Sequence, residues 1–188
     1  PGNQSSIFNY SFSPDGTRLA ALTDDLLISW DLIDGSTIFS RSRGDLTQVY
    51  FSPDRDEVYG LATNGEVIVY DPNRGAELAR LRGHGNFNQS AAYNAQQGLL
   101  ALGGEDGTLK VWDLVERVSL ITFDAHPGRP VVRITMDASG ERMASVSADG
   151  FVRIWEWREG REIANFDHRG ALLEQLRFAP DGRNLYTD

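Results

Sequence analysis

Apolar and polar residues along this chain follow short, near-alternating runs broken by turn residues, and the runs recur at a fixed interval. The clearest example is the third of these units. Asn88 to Tyr93 reads as a short strand, and Asn94 to Gly98 as a polar turn in which Gly98 can take a positive φ. Leu99 to Gly103 reads as a second strand and Glu105-Asp106-Gly107 as a tight hairpin turn. Thr108 to Trp112, with its β-branched and aromatic residues, predicts a third strand, and Val118 to Phe123 a fourth, outer one. No stretch carries a convincing helical stripe. Leu172 to Phe178 comes nearest, but its place in the repeat makes it a first strand.

Three independent registers fix the repeat. Strand ends align at Trp30-Asp31, Tyr70-Asp71, Trp112-Asp113 and Trp155-Glu156, spaced 40, 42 and 43 residues apart. Turns align at Phe12-Ser13-Pro14-Asp15-Gly16, Phe51-Ser52-Pro53-Asp54-Arg55, Tyr93 to Gly98, Met136 to Gly140, and Phe178-Ala179-Pro180-Asp181-Gly182. The only histidines, His84, His126 and His168, lie 42 residues apart. Four strands per unit of about forty residues is the signature of a β-propeller. The predicted fold is therefore all-β, built of four-stranded antiparallel blades, with about four and a half blades present. The units run approximately over 1–42, 43–82, 83–124, 125–166 and an incomplete 167–188. Blades packed on both faces explain why strict alternation is soft.

Composition narrows the function classes. The chain has 188 residues, 40% hydrophobic and 24% charged, as in an ordinary globular protein. No apolar run is long enough to cross a bilayer. The absence of cysteine removes disulfides, thiolate metal sites and a cysteine nucleophile, and fits a cytoplasmic protein. Net charge is −9, and neither half is basic: 7 basic and 12 acidic residues precede Asn94, and 11 and 15 follow. Nucleic-acid binding through phosphate neutralisation is disfavoured. There is no phosphate-binding Gly-Lys loop and no His-Glu-x-x-His helix, and no acidic loop has convincing calcium spacing. No catalytic residue, cofactor or metal is expected. The arginines of the fourth unit, interspersed with glutamates, read as a solvated mixed-charge face rather than an acidic-peptide dock. Trp157 stands where Leu32 and Leu114 stand, which predicts a packing role.

Gly83-His84, the Ser-Pro-Asp-Gly turns, Asp106-Gly107-Thr108 and Trp112-Asp113 together resemble WD-repeat β-propellers over essentially the whole chain. Periplasmic propellers that share the Ser-Pro-Asp-Gly turn would not be expected to show the His and Trp registers together. The resemblance implies a buried network joining a loop His, a second-strand Ser or Thr, a turn Asp and a third-strand Trp. By position the fourth unit holds the full set: His126, Ser147, Asp149 and Trp155. The third unit has His84, Asp106 and Trp112, with Gly104 in place of the hydroxyl. The second has Ala62, Asn64 and Tyr70, with Asp45 near the His position. The first has Leu22, Asp24 and Trp30, and no His.

WD-repeat rings usually have about seven blades, so the chain reads as a segment of a larger protein, or one that assembles with another chain, or a four-bladed ring with a loose tail. The resemblance implies a non-catalytic scaffold that offers loops to a protein or peptide partner, without nucleic acid and without membrane insertion. Candidate contact loops are 83–87, 126–130 and 168–171, with the turns Asp24-Asp25, Asn64-Gly65, Asp106-Gly107 and Asp149-Gly150. The alternative is the ligand-sensing region of a larger signalling ATPase or kinase; a propeller-type hydrolase stands behind both.

Overall fold

The computed structural model describes residues 6–52, 55–82, 88–168 and 175–187. Eighteen strands form four four-stranded antiparallel meanders and one two-stranded sheet among the described residues. Sheet 1 is β1 (Asn9–Phe12), β2 (Arg18–Leu22), β3 (Leu26–Asp31) and β4 (Thr37–Ser42). Sheet 2 is β5 (Leu46–Phe51), β6 (Val58–Ala62), β7 (Val67–Tyr70) and β8 (Glu77–Leu81). Sheet 3 is β9 (Asn88–Asn94), β10 (Leu99–Gly104), β11 (Thr108–Asp113) and β12 (Val118–Asp124). Sheet 4 is β13 (Val131–Met136), β14 (Arg142–Ser147), β15 (Phe151–Glu156) and β16 (Arg161–Asp167). Sheet 5 is β17 (Leu176–Phe178) and β18 (Leu185–Thr187). The blades expected from the sequence are these sheets, and the strands predicted for the third unit match within a residue. Of the predicted strand 172–178, residues 172–174 lie outside the described residues.

The chain divides into two compact units, residues 1–85 and 86–188. In the first, Leu22, Leu27 and Phe39 of sheet 1 pack on Leu46, Val49, Phe51, Val58, Ile68 and Tyr70 of sheet 2. In the second, Leu109 and Val111 of sheet 3 pack with Val131, Ile134, Met143, Trp155 and Trp157. Ala144, Val146 and Val152 of sheet 4 then meet Leu176 of sheet 5. Strands β6, β7 and β10 are buried at every position, whereas the fourth strands β12 and β16 are mostly exposed. Inner strands covered on both faces cannot alternate, so their sequences read as continuous apolar runs.

Two local devices recur. In every four-stranded sheet described, the register between third and fourth strands slips by one residue, and it slips at the aromatic position: Ser29/Trp30, Val69/Tyr70, Val111/Trp112 and Ile154/Trp155. A bulge re-aims the side chain beside it. The residue after the aromatic then seats the next turn. The Asp31 carboxylate accepts from Ile33 N–H at 2.7 Å, Asp71 from Asn73 N–H at 2.8 Å, and Asp113 from Glu116 N–H at 2.9 Å. The recurring aromatic-Asp pair is thus a bulge followed by a turn whose N–H the Asp carboxylate accepts, two residues on at Asp31 and Asp71 and three at Asp113. The fourth sheet has Glu156 instead, and a short 3-10 turn, Trp157–Glu159, follows it.

Candidate functional site

The fourth sheet holds a sealed polar cluster. Ser145 Oγ lies 2.8 Å from His126 Nε2 and accepts the Trp155 indole N–H at 2.9 Å. His126 is 1% exposed and Ser145 fully buried. The edge of the Phe123 ring meets Trp155 with centroids 5.1 Å apart. Ser145 Oγ accepts from the indole and shares a second hydrogen bond with Nε2, whose direction follows the imidazole tautomer, while His126 Nδ1 has no hydrogen-bond partner. Burial, with the nearby Arg153 charge, brings the His126 pKa down to about 4, so the ring is neutral at pH 7.

The hydroxyl in this cluster differs from the expected one. Ser147 donates instead to the Asp149 carboxylate, which also accepts Phe151 N–H at 3.1 Å. Burial opposes ionisation of Asp149, but those two donors hold its carboxyl below the usual range. The reason is register. Trp155 pairs with Met143 across β14–β15. At about 3.4 Å per residue, Ser145 lies about 7 Å along the strand from that pair and Ser147 about 14 Å. Ser145 and Ser147 share a face, so the sequence pattern alone could not choose between them; counting from the paired aromatic does. His126, Ser145 and Trp155 therefore form one group, and Ser147 and Asp149 another. No hydrogen bond joins the two.

The same register explains the other sheets. Ser145 corresponds to Ala21, Gly60 and Leu102. In sheet 3, Leu102 leaves the buried Trp112 indole N–H without an acceptor, while Lys110 Nζ lies 4.7 Å from the ring centre. Asp106 accepts from Thr108 N–H at 3.0 Å and from the Thr108 hydroxyl at 2.7 Å, closing its own hairpin. His84 lies outside the described residues. In sheet 2, a Cβ on Gly60 would come within 2.8 Å of Leu46 and 2.9 Å of Tyr70, so those side chains occupy the space the hydroxyl fills in sheet 4. Arg41 lies over the Tyr70 ring at 4.7 Å, in the slot that Phe123 takes on Trp155.

A backbone contact fixes the surface above these clusters. His126 N–H donates to the Gly107 carbonyl at 2.9 Å, His168 N–H to Gly150 at 2.9 Å, and Arg43 N–H to Asp25 at 2.8 Å. Among the described residues, the loops entering sheets 2, 4 and 5 are thereby tied to the hairpin turn of the sheet before each. Arg43, not Asp45, takes the loop position of His126 at the entry to sheet 2. Its guanidinium donates to the Asp24 and Leu46 carbonyls at 3.1 and 2.6 Å and lies 5.2 Å from the Phe8 ring. The tips themselves are open: Asp24, Asp25, Asn64, Asp106, Pro127, Gly128 and Arg129 are exposed. Loop 83–87 and residues 169–171 lie outside the described residues. Trp157 is buried, and its indole N–H donates to the Gly140 carbonyl at 2.8 Å.

Comparison with known proteins agrees with this architecture. A family model described as WD domain, G-beta repeat matches residues 75–113 and 117–156. Each match begins at or just before the fourth strand of one sheet and ends on the third strand of the next. Similar curated proteins include the U5 small nuclear ribonucleoprotein 40 kDa protein of Dictyostelium discoideum, 23% identical over 84% of this chain and 45% of that protein. A p21-activated protein kinase-interacting protein 1-like of Danio rerio is 26% identical over 82% of this chain and 42% of its own length. Transducin beta-like protein 3 of Rattus norvegicus is 29% identical over 92% of this chain and 21% of its own length. The chain spans less than half the length of these relatives. Two stretches of this chain are thus matched as WD repeats, and with its four-stranded meander sheets and the bulged aromatic closing each third strand the chain is similar to WD-repeat β-propeller proteins.

Proposed function

We propose that this chain is a non-catalytic interaction scaffold that offers its loop-and-turn tips to a protein or peptide partner. The observation that carries this reading is the tie between three entering loops and the preceding hairpin turns, at Arg43–Asp25, His126–Gly107 and His168–Gly150. These ties hold exposed tips on a rigid β frame, so little ordering cost remains when a partner docks. The His–Ser pair is shut away from solvent and its serine is occupied by two partners, which suits a structural role. No helix among the described residues is long and apolar enough to cross a membrane. A cytoplasmic setting, and a partner other than nucleic acid given the net charge of −9, belong to the same reading. One relative is named as a kinase-interacting protein, which is in keeping with it.

Alanine substitutions at Asp25, Asn64 and Arg129, tested by affinity capture from the source cell, should lose a shared protein partner while the fold is retained. Capture that survives all three, or depends instead on the outer strands, would refute this placement. The second reading, a sensing region within a larger signalling ATPase or kinase, makes the same tips the sensing surface.

A further inference from the structure

Asn64-Gly65 heads the β6–β7 hairpin, and a docking role makes no use of its chemistry. Of the chain's nine asparagines, Asn64 alone is followed by glycine. Glycine has no side chain to shield its peptide nitrogen, and asparagine is among the heat-labile residues. The turn adds geometry of its own. Asn64 is exposed, and its Oδ1 accepts from Glu66 N–H at 3.0 Å. That bond turns the side-chain carbonyl onto the backbone just beyond Gly65. It also sets a donor on the oxygen that gains charge when a nucleophile adds to Cγ. Gly65 N–H donates to the Ala62 carbonyl at 2.8 Å and closes the turn.

The equivalent turns show what the frame accepts at this position. In sheet 3, Asp106 accepts from Thr108 N–H at 3.0 Å, and Gly107 N–H donates to the Gly104 carbonyl at 3.2 Å. In sheet 4, Asp149 accepts from Phe151 N–H at 3.1 Å, and Gly150 N–H donates to the Ser147 carbonyl at 3.0 Å. Gly65, Gly107 and Gly150 share a positive φ, at +76°, +88° and +83°. Asn64 thus makes with its amide oxygen the bond that a carboxylate makes in two other sheets. An aspartate at position 64 keeps both bonds of the turn. An isoaspartate does not, because it routes the main chain through Cβ and Cγ and lengthens the Ala62–Gly65 closure by an atom.

We propose that Asn64 is a self-modification site, at which the turn converts its amide into the carboxylate that sheets 3 and 4 carry. The Gly65 nitrogen, after losing its proton to solvent hydroxide, bonds to Asn64 Cγ. The Cγ–Nδ2 bond breaks, and ammonia leaves with a proton from water. Water then opens the cyclic imide at the bond between Cγ and the Gly65 nitrogen, and a proton returns to that nitrogen. The net change is asparagine plus water to aspartate plus ammonia. The Ala62 carbonyl holds the proton that has to leave, so the native turn converts more slowly than the unfolded chain. The effect is electrostatic. The Glu66 carboxyl is held below its usual range by Arg80 and next by the Asn64 amide. Conversion removes that amide and sets a second carboxylate beside Glu66, on an exposed tip of a chain already at −9. The inference is independent of which partner the tips bind.

The test is peptide mapping by mass spectrometry of the folded chain held in warm, mildly alkaline buffer, with fragmentation that separates aspartate from isoaspartate. The same chain held in urea is the comparison. In the folded chain, position 64 should gain about 1 Da roughly tenfold faster than Asn73, which is exposed but followed by Arg74. Aspartate should be the main product in the folded chain and isoaspartate the main product in urea, because only the folded turn rejects the longer main chain. Conversion at position 64 no faster than at Asn73 overturns the proposal. So does isoaspartate as the main product of the folded chain, or a product ratio that is the same with and without urea, because the reaction would then belong to an opened chain and not to this turn.

Discussion

At the scale of single residues, Ser145 is the atom-level hinge of the fourth sheet. Its hydroxyl serves both a buried imidazole and a buried indole, so Ser145→Ala strands two groups at once and should cost about 3 kcal/mol. Ser147→Ala removes one turn bond and should cost about 1 kcal/mol. Urea unfolding of the two variants decides it; a larger loss at Ser147 would return the cluster to the form expected from sequence. His126→Ala should also destabilise, by about 1–3 kcal/mol, through its stranded serine. The same histidine sets a pH dependence. Its folded pKa of about 4 lies below its unfolded value of about 6.5, so the unfolded chain binds the extra proton. The stability contributed by neutral His126 is fully present above pH 6.5 and is lost as pH falls toward 4, by up to about 3 kcal/mol. Denaturation midpoints measured from pH 7 to pH 4 should fall in the parent and fall less in His126→Asn. A parallel decline in both would remove the assignment.

At the scale of strands and turns, the sequence was most readable where local chemistry and tertiary packing agree. The hairpin turns, the strand periods and the aromatic ends all mapped onto the sheets, because each is set by residues within one hairpin. The bulge at each aromatic was not legible, since a register slip depends on which residue of a neighbouring strand faces it. The choice of Ser145 over Ser147, and of Arg43 over Asp45, was hidden for the same reason: both depend on cross-strand or cross-sheet registers. Gly107 shows how tightly turn and loop fit. Its φ is +88°, and a Cβ there would fall 1.8 Å from the His126 carbonyl oxygen. Gly107→Ala should therefore destabilise by about 4 kcal/mol or abolish folding, and wild-type stability in that variant would contradict the loop–turn tie. Because among the described residues only sheet 4 has its cluster complete, its amides should exchange more slowly than those of sheet 1. Equal protection by hydrogen-exchange mass spectrometry would show that apolar packing alone sets the order.

At the scale of the molecule, the chain carries a repeated frame whose braces vary while its loop ties persist. The serine–histidine–tryptophan cluster is replaced by a cation over Tyr70 in sheet 2 and by an unpaired indole in sheet 3, yet the loop-to-turn bond recurs at each junction described. That pattern is expected if the tips are what must be held constant and the interior can be repacked. The proposed scaffold role rests on those tips. The most direct measurement is site-specific photo-crosslinking in the source cell, with the reactive side chain placed at Asp25 or Arg129 on the tips and at Leu120 on an outer strand. The scaffold account predicts one shared protein crosslinked from Asp25 and Arg129 and absent from Leu120. Crosslinks to that protein from Leu120 alone, or none from either tip, would contradict it.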